Sequence, residues 1–254
     1  MLGTISLQTI YYQKAGLVVF NGPVRVSRGI AIGHMLGDIS DRRGEAVFNG
    51  SVNIGGGLSA IGWGRAIFFN TVDIGERGII LDNRGHGRSS LTFHGPVNIK
   101  DGRIYLSGEN SAVFKNEVRL ASGGLIMDQA NSRASVTLAG PASVTAPELK
   151  VLGNNRLVLS LSPSMDPGGF IKANSVELDV DCLVINNPIG LDVKEGAEIT
   201  LVTGWKIRLT GDNRKIITEQ GDEFELLTSE YRISAKLTKL AHPYVWHDNL
   251  PFDY

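Results

Sequence analysis

The sequence predicts an all-β fold, a parallel β-helix closed by a C-terminal antiparallel hairpin cap. Three observations predict it. Nearly the same seven letters recur as FNGPVRV at 20–26, FNGSVNI at 48–54 and FHGPVNI at 93–99. Within each copy the apolar residues recur with period two. Phe93, Val97 and Ile99 share one face with polar Asn98 between, which is strand alternation rather than helical spacing. Glycine is also abundant, at 31 of 254 residues, or roughly 12% against a usual 7% or so. It concentrates before about residue 125, between the apolar segments.

The first element is TISLQTIYYQ, residues 4–13, already strand-like at its start. No helix or charged plug precedes it, so its outer edge is expected to lie uncovered. An uncovered edge is a template for another chain. Either further turns precede residue 1, or this first rung pairs with a neighbouring molecule. The opening MLGTISLQTIYYQK has neither the basic n-region nor the long apolar h-region of a signal peptide. No apolar run approaches the ~18 residues of a membrane span. The expectation is a cytosolic chain, or a piece cut from a longer exported protein with Met1 added.

The repeats come next. Aligned on the valine of the motif, they fall at Val24, Val52, Val72, Val97, Val118 and Ala142, with spacings of 28, 20, 25, 21 and 24 residues. An aromatic or leucine precedes each: Phe20, Phe48, Phe69, Phe93, Phe114 and Leu138. Phe69 stands one residue closer to its valine, which reads as a deletion in that copy. A second apolar pair follows in four copies, beginning at Ile79, Ile104, Leu125 and Leu149; the first copy is irregular, with Ile30 and Ile32. The step from Ile99 to Ile104 is odd, so the turn between must absorb an extra residue. Glycine does so at positive φ without a Cβ clash. One such turn cannot bury its apolar face alone, and stacking turns about 4.8 Å apart superimposes the apolar columns. A β-sandwich also has regular short strands, but it does not require the same letters at the same phase.

After Leu149 the repeats blur. RLVLSLS at 156–162 and SVELDVDCLVIN at 175–186 read as two more turns. From Ile199 the alternating segments are separated by Thr-Gly, Gly-Asp-Asn and Gln-Gly-Asp, which read as antiparallel hairpins. The predicted division is therefore β-helix turns over 1–189 and cap hairpins with an irregular tail over 190–254. The tail AHPYVWHDNLPFDY is expected to pack as a strap.

Charge and chemistry narrow the function classes. The net charge is −1, without the basic patch of a nucleic-acid binder. Cys182 is the one cysteine, so no disulfide forms within the chain, and its apolar setting reads as a small core residue. RGHGRS, Arg84 to Ser89, holds the Gly-His-Gly of β-helix pectin hydrolases. Their other segments are missing: NTV at 70–72 lacks the aspartate, RIY at 103–105 lacks the lysine, and no Asp-Asp pair exists. Glycosidases need paired carboxylates, so His86 reads as a turn histidine. His34, His86, His94, His242 and His247 show no metal spacing. Glu177, Asp179 and Asp181 are expected on one strand face, where three carboxylates could bind calcium but a solvated face is the plainer reading. Asn49-Gly50-Ser51 is a sequon. The outward column Arg25, Asn53, Asp73, Asn98, Arg119 and Ser143 mixes signs and repeats no residue, as a soluble wall does. No catalytic residue, metal ligand or cofactor site is predicted.

The VFNGSVNI…G…I.L turns over about 18–150, the cysteine poverty and GLDVKEGAEITLVTG at 190–204 together resemble the passenger domains of bacterial autotransporters, the pertactin-like surface proteins. The resemblance implies a secreted, right-handed parallel β-helix acting as adhesin or stalk. The function expected is thus a non-enzymatic structural or adhesive surface β-helix, extracellular or at the cell surface, with possible self-association through the N-terminal rung and no nucleic-acid partner. The alternatives are a trimeric phage or virion fibre component and a β-helix carbohydrate-active enzyme.

Overall fold

A computed structural model describes residues 4–12, 16–33, 44–82, 87–162, 169–186 and 194–241. Within them the repeating unit is three short strands. Arg65–Phe68, Val72–Ile74 and Gly78–Asp82 make one turn; Ser90–Phe93, Val97–Ile99 and Arg103–Ser107 make the next. Each strand pairs in parallel with its counterparts one turn away. Leu91 lies between Ala66 and Ala112, Val97 between Val72 and Val118, and Ile104 between Ile79 and Leu125. The first strands of the turns form an eight-stranded sheet from Gly16–Phe20 to Leu183–Asn186. The second and third strands share one 16-stranded sheet. They share it because Val24–Gly33 and Val144–Val151 each run unbroken through the bend that divides the turns between them. The fold is the parallel β-solenoid that the repeats predict. Among the described residues its one helical turn is the 3-10 segment Val180–Cys182.

That bend accounts for the glycines. From Val97 to Ile104 the chain takes seven steps, and from Val144 to Leu149 five. The shorter path bends within a continuous strand. The longer path must reverse its pleat, and Gly102 does so at φ +131°. A Cβ there would meet the backbone of Arg77 at 2.4 Å. One turn earlier the left-handed region is taken by Arg77 itself, at φ 61°, followed by Gly78 at +70°. The odd step read from the sequence is real.

Two details of the repeat alignment need correction. The sixth member of the valine column is Val144, which pairs with Val118, and not Ala142. Two extra residues in the corner after Leu138, with Gly140 at φ +71°, move the strand on by two. A two-residue slip keeps the same face inward, and Ala142 is itself buried, so alternation cannot detect it. The aromatic column contains Phe68, and not Phe69. Phe68 pairs with Phe48 and Phe93, and it stands four residues before its valine as the others do. That copy therefore carries no deletion. Phe69 points out, 45% exposed, and stacks on the His94 ring at 4.7 Å.

Corrected in this way, Phe20, Phe48, Phe68, Phe93 and Phe114 form one stack. Successive centroids lie 4.7 to 5.0 Å apart, with the rings within 7° of parallel. The ring spacing equals the rung spacing, so each ring covers the one below and water is excluded along the column. The third corner of the turn is closed by buried amides. Asn110 Oδ1 accepts from Ser89 N–H at 2.9 Å and Asn155 Oδ1 accepts from Ala134 N–H at 3.1 Å. Their Nδ2 groups donate to the carbonyls of Leu81 and Ser107, and of Met127 and Leu152. These two side chains bond backbone groups of adjacent rungs at the corner.

The two ends differ. Ile5–Tyr12 adds the first rung, with Ile5 paired to Val24 and Leu7 to Val26. By register both belong to the core columns, yet they are 38% and 41% exposed. At the other end Glu198–Thr210 pairs in parallel with Ile171–Asp179 and antiparallel with Arg232–Lys239. Glu223–Thr228 and Lys215–Ile217 then continue antiparallel. The expected antiparallel cap is present, but the Thr203-Gly204 step read as a hairpin turn lies inside Glu198–Thr210, which continues the parallel stack. Phe224, Ile233, Ala235 and Leu237 are buried in the cap. The expected strap over 242–254 lies outside the described residues.

Replacing Phe68 with Ala should cost about 3–5 kcal/mol and replacing Phe69 with Ala less than about 1 kcal/mol, both read from urea titrations. Equal losses would contradict the assignment of the column.

Candidate binding trough

The bend between the second and third strands stacks on itself, so it runs as a continuous edge along the solenoid wall. The register defines the outward column beside it: Arg25, Asn53, Asp73, Asn98, Arg119 and Thr145. Thr145 replaces the expected Ser143, for the same reason that Val144 replaces Ala142. Lys172 and Thr203 continue the column towards the cap.

Three hollows lie end to end along this edge. A central trough of about 550 Å³ is lined by Asn53, Asp73, Asn98, Arg119 and Thr145. An N-terminal hollow of about 680 Å³ shares Gly55 with it and is lined by Arg28, Glu76 and Arg77. A C-terminal hollow of about 540 Å³ shares Thr145 and includes Asn174, Trp205 and Tyr231. The glycines make the edge concave. A Cβ on Gly55 would lie 2.2 Å from the Ser27 carbonyl and one on Gly75 2.4 Å from the Gly55 carbonyl, so the rungs meet backbone to backbone.

The trough surface is mostly apolar, and the polar side chains along it are partly bonded to one another. Asn98 Nδ2 donates to Asp73 Oδ1 at 2.8 Å. Arg119 Nε donates to Glu117 Oε1 at 2.7 Å. Asp73 is the single acid among the residues lining the central trough. Amide, hydroxyl and guanidinium groups repeating at one rung per step suit an extended polar ligand laid along the wall. At its C-terminal end the edge carries two uncovered aromatics. Trp205 is 79% exposed and Tyr231 52%. Alternation gave no sign of them, because Trp205 sits at the bend, beside Gly204, where the inside-outside rule lapses.

The singled-out residues fall elsewhere. Arg84 and His86 lie outside the described residues, as do His34, His242 and His247. Of the same string, Ser89 is buried and donates its hydroxyl to the Gly62 carbonyl at 3.1 Å, which is a corner contact. Asn49 of the sequon donates to Asn21 Oδ1 at 2.8 Å. Glu177, Asp179 and Asp181 do not share a strand face. The strand ends at Asp179, whose carboxylate accepts from Asp181 N–H at the start of the 3-10 turn. Glu177 meets Lys150 at 3.5 Å and Arg208 at 3.6 Å, and Lys150 also meets Asp128 at 3.6 Å. That face is a ladder of partly exposed ion pairs. No group of three or more metal-ligating side chains is found among the described residues, and no helix there is long and apolar enough to cross a membrane. Cys182 is buried, and burial followed by the nearby Asp179 and Asp181 carboxylates pushes its thiol up to about 12. It stays a thiol at neutral pH.

No family model, curated protein or solved structure matches this chain.

Partial burial, then the Lys115 charge, hold the His94 imidazole below its ordinary range. The unfolded chain therefore takes up the proton first as pH falls through about 6.5, and the fold loses stability below that point. Urea midpoints should drop between about pH 7.5 and about pH 5, and His94→Gln should shrink the drop. An unchanged drop would remove His94 as a source.

Proposed function

We propose that this chain is a non-enzymatic structural or adhesive surface β-helix, a stalk, adhesin or self-assembling subunit, working at the cell surface or outside the cell. The observation that carries this reading is the continuous outer edge, where polar side chains repeat in register beside a concave strip of backbone. A surface of that kind offers contacts to a long partner at many rungs at once. The uninterrupted core beneath it gives the stiffness a stalk requires. The autotransporter-passenger resemblance adds support from the wording of the turns and of residues 190–204.

Self-association through the first rung has its own support. Ile5 and Leu7 leave core positions exposed at the end of the stack, and Leu17 and Val19 add exposed apolar surface on the end strand of the other sheet. An edge strand that carries apolar side chains and has no further strand partner among the described residues favours a second strand.

Two measurements test the proposal. Displayed on bacterial cells, the chain should raise attachment to neighbouring cells or coated surfaces, and the triple change Asn53→Glu, Asn98→Glu, Thr145→Glu should abolish most of that gain. Attachment indifferent to the triple change, or catalytic release of reducing ends from a polysaccharide by the purified chain, would overturn it. In sedimentation the wild type should associate, and Ile5→Pro should shift it towards monomer. A strictly monomeric wild type with residues 4–12 strongly protected from hydrogen exchange would refute association through that rung.

A further inference from the structure

The C-terminal hollow combines features that point to one kind of ligand. Trp205 is the most exposed of the large hydrophobic side chains among the described residues, and it shares this hollow with Tyr231. Single exposed apolar residues are ordinary on a protein surface. Two large aromatics on one hollow are a different case, because each withholds a large area from the core.

Their placement is rigid. Trp205 lies inside the thirteen-residue strand Glu198–Thr210. Its neighbours Gly204 and Lys206 pair with Ala173 and Ser175 on one side. On the other side Gly204 N–H donates to the Tyr231 carbonyl at 3.0 Å. A Cβ on Gly204 would come within 2.7 Å of the Ala173 carbonyl, so only glycine lets the strands close up beside the indole. The bases of both aromatics are thus tied to one hydrogen-bonded strand crossing.

The surroundings supply polar groups in the right places. Thr145, Asn174 and Thr203 line the same hollow, and through Thr145 it opens into the central trough. Flat aromatic faces bind the C–H faces of pyranose rings, while amides and hydroxyls bond to the ring hydroxyls. The rungs, 4.7 to 5.0 Å apart at the phenylalanine stack, repeat at close to the length of one sugar residue in an extended chain. We infer that the wall binds a neutral polysaccharide, anchored at Trp205 and Tyr231 and laid along Thr145 and Asn98.

Charge separates this from the other ligand that uses stacking platforms, single-stranded nucleic acid, which needs a positively charged groove. Here Arg232 is paired with Glu198 at 3.1 Å and Arg119 with Glu117 at 2.7 Å, and Lys172 and Lys100 are scattered cations on the path rather than a continuous basic groove. Asp73 adds a carboxylate on the path, and the chain's net charge is −1.

The inference rests on the reading of the wall as a binding surface and adds the class of partner. Affinity electrophoresis of the full chain tests it, in gels holding hydroxyethyl cellulose, galactomannan, β-glucan or glycol chitin, with heparin and oligothymidylate as polyanion controls. At least one neutral polymer should retard the wild type. Trp205→Ala should weaken the retardation at least about tenfold, a loss of about 1.4 kcal/mol. Tyr231→Ala should weaken it less, Trp205→Tyr should restore part of it, and Trp63→Ala should leave it unchanged. Trp205 is exposed, so its variants should melt with the wild type, and Tyr231→Ala gives an independent reading if one does not. No retardation by any neutral polymer, retardation untouched by Trp205→Ala, or tighter binding to either polyanion would each overturn the inference. If cell attachment still depends on Asn53, Asn98 and Thr145 in that event, the surface reading survives and the glycan alone is lost.

Discussion

Parallel backbone hydrogen bonds hold each rung at a fixed distance from the next, and that distance reappears in the side chains as ring centroids 4.7 to 5.0 Å apart. Once the rungs are in register, any residue type repeated at one phase becomes a column. Inside, the columns are phenylalanine, valine and leucine or isoleucine, and they exclude water jointly. Outside, the same rule produces the Lys150, Glu177 and Arg208 ladder and the polar edge of the trough. Glycine enters where backbones of adjacent rungs touch at the bend, and asparagine where a corner leaves carbonyls without strand partners. Each of these residues answers to the stacking distance before it answers to anything else.

The same rule makes stability a matter of neighbours. An interior phenylalanine such as Phe68 is covered on both sides and fully buried, whereas Phe20, at the end of the stack, is only partly buried. Ile5 and Leu7 carry core side chains with one covered face. The cap removes this penalty at the other end by changing strand direction. Glu198–Thr210 takes parallel pairing from the stack and offers antiparallel pairing to Arg232–Lys239. The last strand of the series, Lys215–Ile217, is three residues long, with Lys215 ion-paired to Glu223. Short, charged edge strands resist further pairing.

Much of this fold is written in the sequence because a repeat announces itself through identity at a fixed phase. The motif valines, the glycine bends and the change to hairpins after Ile199 all follow from spacing and alternation. The departures have separate physical causes. Period two distinguishes inside from outside but not one inward position from the next, so Ala142 and Val144 look alike. Phe68 and Phe69 are adjacent, and the four-residue step to Val72 assigns the column to Phe68. The acids at 177, 179 and 181 fall on one face only if alternation continues past Asp179, where the strand ends. The trough was legible only in part. Its outward column came from the motif, but Trp205 sits at a bend and Tyr231 on a hairpin. Asn110 and Asn155 bury a polar group that hydropathy assigns to the surface.

The change of strand direction at Glu198–Thr210 also bears on symmetry. A solenoid open at both ends can add copies head to tail, a heterologous contact that does not close and so grows into filaments. In this chain one end presents parallel rungs and the other antiparallel hairpins, and the two surfaces do not match. Self-pairing through the first rung, as proposed above, would then join like to like about a twofold axis. Such a contact would be isologous and satisfied by two copies. It would carry the two C-terminal aromatic hollows to opposite ends of the pair.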